Sequence, residues 1–402
     1  MNSDRRNNSL NELSAEISPA SNYKKKKFLI PVFSSLFFVL ILLISVLWII
    51  FNIHPDSSIR KSNQIKGLTN LTLRSESALN NLKSEALSDI VYIRKIYKIA
   101  EDATTAPLPD NRCFGETSDP AVIQGIIDGA AELLDGQSSV WNSNISILPG
   151  SVIRYYCDDS ILCIVWKEVV GNTVCTFSEV KIADGSQLRR SLAGNSYSSS
   201  IQLKASDMAK AVNSVVAING DFYAFRQIGV VVYNRELFRF SPSVLDTCFF
   251  TSSGDILFAH KGELTTAEAT KQYISDNDII FSTSFGPILV ENGEIYQTVS
   301  YPVGEIFSYY ARSAIGMTDD LHYLLMVTSS ENSYLYIDGM YAATAARIMH
   351  DKGCIKAYEL DGGQTAVITF NGIPANGIVY GSERTMSDII YFASAIPEEA
   401  RG

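Results

Sequence analysis

Histidine is nearly missing from this chain. Four are scattered through 402 residues, and no two of the six cysteines form a Cys-x-x-Cys. Zinc sites draw on clusters of those two residue types, so we expect no metal site, and no cofactor motif stands out either. Positive charge is also short, at 33 Lys and Arg against 43 Asp and Glu, a net charge of −10. Such a balance leaves no electrostatic footprint for nucleic acid. Any anionic ligand must be met by local arginines and not by the global field. Charged residues make up 19% and hydrophobic residues 46%, which excludes disorder for most of the length and supports a sizeable core.

What is present begins with an uncharged apolar run, Phe28 to Phe51. As a helix its 24 residues would reach about 36 Å, enough to cross a bilayer. Lys24 to Lys27 stand directly before it, which by the positive-inside rule puts the N-terminus in the cytoplasm. The run ends Ile49-Ile50-Phe51-Asn52-Ile53 with no small-x-small cleavage pattern, so it reads as an uncleaved anchor. The expectation is a single-pass cell-membrane protein whose C-terminal domain is extracytoplasmic. The tail carries +3, so the residues beyond the anchor carry −13 of the net −10. All six cysteines (Cys113, Cys157, Cys163, Cys175, Cys248, Cys354) fall beyond the anchor, where free thiols and disulfides are both open.

Four segments follow from composition: 1–27 a cytoplasmic tail, 28–51 the transmembrane anchor, 52–111 a stalk and linker, and 112–402 an ectodomain. In the stalk Leu79, Leu82, Ala86, Ile90, Ile93 and Tyr97 recur at helical steps, and Pro107 and Pro109 end it. Asp119-Pro120 opens a helix running toward Gly136. From Val152 onward strand patterns dominate, with hairpin turns at Gly171-Asn172 and Glu291-Asn292-Gly293. Residues 184–202 are polar and Ser-rich and read as a surface loop. Trp141 and Trp166 are assigned to the core. Further helices are expected at 206–212, 264–275 and 340–352. The fold class is therefore α+β, a strand-rich mixed sheet with flanking helices, preceded by one transmembrane helix and a helical stalk.

Two acids share one local grammar of helix, apolar strand, then an acid beside glycine. Asp221 follows Ser214 to Ile218, and Asp361 follows Ile355 to Leu360. Glycines Gly362 and Gly363 let the backbone turn and a ligand approach. Because Thr365 to Phe370 reads as a strand, the glycine pair is not a nucleotide loop opening a helix. Arg312 and Arg384, each in or beside an apolar segment, offer forked donors for phosphate or carboxylate.

These residues fall into five ordered stations: Ala217-Ile218-Asn219-Gly220-Asp221-Phe222-Tyr223; Phe285-Gly286-Pro287 with Asn292-Gly293; Arg312-Ser313-Ala314-Ile315-Gly316; Leu360-Asp361-Gly362-Gly363; and Glu383-Arg384 with Ser387-Asp388. In this order, from about Val152 to Phe392, the chain resembles the phosphodiester glycosidases, whose bacterial members are often labelled exopolysaccharide biosynthesis proteins. The resemblance implies hydrolysis of a bond between an anomeric carbon and phosphate, through an oxocarbenium-like transition state that needs a nearby carboxylate. It implies Asp361 as the principal carboxylate, with Asp221 or Glu383 as the second. Arg312 and Arg384 would hold the phosphate, Asn219 would meet sugar hydroxyls, and Gly362, Gly363 and Thr365 would line the substrate. The implied partner is a glycan or sugar-phosphate polymer, reached from the membrane through residues 28–51. Where the family pattern reads Asn-Leu-Asp-Gly-Gly-Gly-Ser, this chain has Glu359 for the asparagine and Gln364 for the third glycine. Those departures point to a changed pocket, or to a non-catalytic glycan-binding or assembly protein on the same fold.

Overall fold

In the computed structural model, antiparallel pairing does nearly all the work of assembling the chain. The structure describes residues 95–401, apart from 142–144, 199, 242–243, 297–300 and 332–334. The expected tail, anchor and most of the stalk helix lie outside the described residues. Among those described, no helix is long and apolar enough to cross a membrane. Tyr97, the last residue of the stalk stripe, is not helical; it packs part-buried beside Ile99 against the domain. The segment read as linker also lies on the domain, with Ala106 buried and its N–H donating to the Val212 carbonyl at 3.2 Å.

Three sheets form. The first has nine strands in the order β1 (Phe114–Thr117), β2 (Ile153–Cys157), β3 (Ile161–Val170), β4 (Thr173–Ile182), β15 (His322–Ser329), β14 (Ser313–Asp319), β16 (Lys356–Leu360), β12 (Ile288–Glu291) and β13 (Glu294–Ile295). The second has five: β10 (Ile256–Ala259), β9 (Thr247–Thr251), β11 (Ile279–Thr283), β7 (Val230–Tyr233) and β8 (Glu236–Phe240). The third runs β18 (Ile373–Pro374), β17 (Ile368–Phe370), β6 (Val216–Asn219), β19 (Asp388–Phe392) and β5 (Leu188–Leu192). Among the described residues five α-helices accompany them: α1 (Pro120–Gly129), α2 (Ala131–Leu134), α3 (Ala205–Ala211), α4 (Ala267–Asp276) and α5 (Ala342–Asp351).

Side-chain alternation explains the layering. In β3, Ile161, Cys163 and Val165 face a core shared with the two smaller sheets, where they meet residues such as Ile218, Phe250 and Ile390. Leu162, Ile164 and Trp166 face the other way, onto α1, α2 and α5. Both faces are covered, so β3 opens with a continuous apolar run, Ile161 to Trp166, and β4 is buried along its whole length. Trp166 is 1% exposed and meets Trp141 edge-on at 5.6 Å; burying a side chain that large stabilises by about 3 kcal/mol or more. Helix α3 covers the outer face of the third sheet and α4 that of the second.

Local signals account for most element ends. Asp119 caps α1, accepting from the Ala121 N–H at 2.9 Å with Pro120 first in the helix. The helix expected to continue to Gly136 instead breaks at Ala130 and resumes as α2, with Asp135 left-handed at its end. The β12–β13 turn uses Asn292 and Gly293, both at positive φ, as a two-residue hairpin requires. The loop expected over 184–202 contains β5, which pairs with β19 along its whole length.

Candidate active site

The end of β6, the β11–β12 connection, the start of β14, the end of β16 and the segment before β19 converge on one cavity. Its volume is about 250 Å³, and its walls include Phe222, Phe285, Arg312, Asp361 and Arg384, one residue from each of the five stations. Arg226, Tyr310, Glu359 and Gly362 complete the polar and backbone surface. Cavities of about 460 Å³ and 280 Å³ elsewhere include no residue of the five stations other than Pro287.

Asp361 is half-buried at the mouth of the glycine pair, just past β16. Its carboxyl is pushed up from 3.8 to about 7, chiefly because burial disfavours the charged form; the Thr365 hydroxyl and the Arg384 and Arg226 charges oppose the rise, and Asp221 adds to it. A carboxyl of that kind exists in both protonation states near neutrality, as acid–base work requires. Its backbone is held from both sides: its N–H donates to the Gly220 carbonyl at 3.3 Å, and its carbonyl accepts from Asn219 Nδ2 at 2.6 Å.

The two arginines expected to act together have different surroundings. Arg384 is exposed and stacks over Phe225 at 5.1 Å and Phe222 at 5.7 Å, with no ion pair among the described residues. Arg312 is 2% exposed, and its guanidinium is taken up by the protein. It donates to Glu359 Oε1 at 2.5 Å, to the Met340 carbonyl at 2.8 Å and to the Ser308 carbonyl at 2.6 Å. Glu359, which stands where the family pattern has asparagine, thus neutralises Arg312. Its other oxygen, Oε2, is buried without a partner, and burial, against the Arg312 charge, pushes its carboxyl from 4.5 to about 7.

A cation that the sequence reading passed over replaces Arg312 at the cavity. Arg226 lies over Phe285 at 4.8 Å and Phe222 at 5.8 Å, and its Nη1 is buried with no hydrogen-bond partner. The signal was present: Arg226 follows Phe222 by four residues in a short aromatic run, and arginine pairs readily with aromatic faces.

Several expected ligand-handling residues face inward instead. Asn219 is 1% exposed, and besides Asp361 its side chain accepts from the Ser313 hydroxyl at 2.8 Å and the Val367 N–H at 3.1 Å. All three contacts tie β6 to neighbouring segments. Glu383 accepts from the N–H and hydroxyl of Ser206 at 3.0 and 2.6 Å, capping α3 outside the cavity walls. Asp221 is 4% exposed and accepts from the Phe222 and Ser284 N–H groups at 2.6 and 2.9 Å, so it sits behind the cavity. Thr365 donates to the Gly362 carbonyl at 2.5 Å and is buried. The glycine pair lets the chain pass closely: a β-carbon on Gly362 would come within 2.3 Å of the Ala311 carbonyl oxygen, and one on Gly363 within 2.8 Å of Tyr310.

Behind Asp221 stands an acid that belonged to the last station without being singled out. Asp388 accepts from the Asp221 N–H at 3.0 Å and from Arg190 Nε at 2.7 Å, in an ion pair with neither side chain exposed. A β-carbon on Gly220 would lie 2.1 Å from its Oδ2, so only glycine fits there.

Asp361 at the end of β16 and the guanidiniums of Arg226 and Arg384, each lying over aromatic rings, thus share one cavity in an antiparallel β fold. The family model described as phosphodiester glycosidase matches residues 212–393, the stretch that carries all five stations. Among solved structures, the chain is similar to the catalytic domain of zebrafish N-acetylglucosamine-1-phosphodiester alpha-N-acetylglucosaminidase auto-inhibited by its pro-peptide, at 17% identity and a TM-score of 0.47, covering 62% of this chain and 86% of that one. It is also similar to a hypothetical protein from Synechocystis, at 12% identity and a TM-score of 0.44, covering 61% and 67%. No curated protein gives a significant match.

Proposed function

We propose that the chain hydrolyses sugar-1-phosphodiester bonds in a cell-surface glycan, held at the membrane by residues 28–51 with the domain outside the cytoplasm. One observation carries the reading: all five stations deliver a side chain to the same cavity, and its half-buried acid is Asp361. Phosphate is already a good leaving group, so the demand falls on stabilising the sugar. In its ionised form Asp361 faces the anomeric carbon as the bond from that carbon to the phosphate oxygen breaks. The electron pair leaves on that oxygen, where Arg226 and Arg384 meet the phosphate. Water supplies the hydroxyl that the sugar gains and the proton that is released. Asp221 acts through position: it fixes the Phe222 and Ser284 backbone beside the cavity.

A non-catalytic, glycan-binding role is the second reading, and the neutralised Arg312 favours it. Offering the full chain a sugar-1-phosphodiester separates the two. Release of sugar by the parent, with a drop of about 10³-fold in an Asp361→Asn variant that still unfolds cooperatively, supports hydrolysis. Binding without turnover in either protein would leave the second reading standing.

A further inference from the structure

Beside the cavity runs a groove of about 340 Å³ that none of the expected site residues other than Gly363 reaches, and three tyrosines, Tyr309, Tyr310 and Tyr380, stand in its walls. Tyr310 is common to both: it lines the cavity, and its ring closes over Gly363 on the groove side. The two spaces are therefore contiguous across one ring. Tyr309, Tyr310 and Tyr380 are 47%, 44% and 86% exposed, large apolar faces left in water. Tyr380 is further unusual because its backbone is left-handed, at φ 64°. A bulky residue held there with its ring in water is a strained position that packing does not explain. Polar atoms are at hand as well. The Asp338 carboxylate is exposed at the groove, and Gln364, held by its Nε2 to the Ser382 carbonyl at 3.0 Å, leaves its carbonyl oxygen free of protein partners.

We infer that this groove binds a further sugar of the same glycan, so that the ligand is an oligosaccharide or polymer and not a lone sugar phosphate. The inference rests on the reading of the adjoining cavity as a sugar-phosphate site. Tyrosine suits the task because a pyranose presents an apolar C–H face to a ring and hydroxyls to its rim. Flanking acceptors such as Asp338 and Gln364 receive hydroxyl protons. Size agrees: the cavity alone falls below the ~300–1,000 Å³ common for ligand sites, and the groove extends it. Gln364, one of the two departures from the family pattern, then belongs to the groove, as Glu359 belongs to the cavity.

The test uses glycans without phosphate, so it does not depend on cleavage. The full chain is titrated by NMR with β-1,4-linked N-acetylglucosamine and α-1,4-linked glucose, each as monosaccharide and tetrasaccharide. At least one tetrasaccharide should bind about tenfold more tightly than its monosaccharide, and Tyr380→Ala should erase most of that gain, as expected for one aromatic contact. Asp338→Asn should reduce it less, and Arg384→Ala, in the cavity, should leave it intact. No gain on lengthening in either series, or a gain that survives both Tyr380→Ala and Asp338→Asn, overturns the inference. A gain without any sugar-1-phosphodiester cleavage would keep the groove and retire hydrolysis; cleavage without the gain would do the reverse.

Discussion

At the scale of single residues, the site depends on where protons and charges are held. Asp361 and Glu359 carry carboxyls raised to about 7, and Asp388 one raised to about 6. A folded-state pKa above the unfolded one means the native state holds the extra proton in that window. Stability contributed by these groups is present at low pH and is lost as pH rises through 6 and 7. The urea midpoint should therefore fall between pH 5 and pH 8. Asp361→Asn should shrink that fall and recover about 1–3 kcal/mol at pH 8. Turnover should move the opposite way, rising to a midpoint near pH 7 as Asp361 ionises. A midpoint near pH 4 would sink this assignment.

The Arg312–Glu359 pair gives a second residue-scale expectation. Both members are essentially without exposure, so removing one strands the other in a dry site. Arg312→Leu should cost about 3–5 kcal/mol, and adding Glu359→Leu should restore much of it, because the isolated charge and not the lost contact dominates. Denaturant unfolding of the two variants decides the point; equal losses would show that the packing, not the charge, matters.

At the scale of elements, Asn219 is the joint. From the last position of β6 it holds Asp361, Ser313 and Val367 at once. Asn219→Ala removes three hydrogen bonds in a buried place and should cost about 2–4 kcal/mol. It should also slow turnover far more than the stability loss predicts, because the loop carrying Asp361 is released. Activity assayed well below the thermal midpoint is the check.

Elements also show what could be read in advance. Hairpins at Gly171-Asn172 and Asn292-Gly293 and the cap at Asp119 were legible because their signals are local. The strand β5 was not. Leu188-Arg189-Arg190-Ser191-Leu192 looks like solvent-facing chain, yet Arg190 is buried by an acid 198 residues away. The roles of Asn219 and Glu383 were hidden for the same reason: a polar residue beside glycine looks alike whether it serves a ligand or a neighbouring strand. Convergence of the five stations was legible as an order in sequence, and only the third dimension showed which side chains face the cavity.

At the scale of the whole molecule, the cysteines bear on how the domain holds together. All six are free. Burial pushes the Cys163 and Cys175 thiols up to about 12, so they are inert as nucleophiles. Stability here comes from packed sheets and not from cross-links. The thermal midpoint should be unchanged, within about 1 °C, by millimolar reductant, where loss of a native disulfide typically costs about 2–5 kcal/mol. In native protein a thiol reagent should reach the half-buried Cys113 well before the buried Cys163, Cys175, Cys248 and Cys354.

The Glu359 side chain has one more implication, for how such a pocket could change its preference. Arg312 is a latent anion receptor, already oriented by carbonyl oxygens and silenced by one neighbour. Exchanging Glu359 for the amide of the family pattern would turn a balanced floor cationic without moving the backbone. One exchange at position 359 would thus alter the charge of the cavity floor while every strand stays where it is.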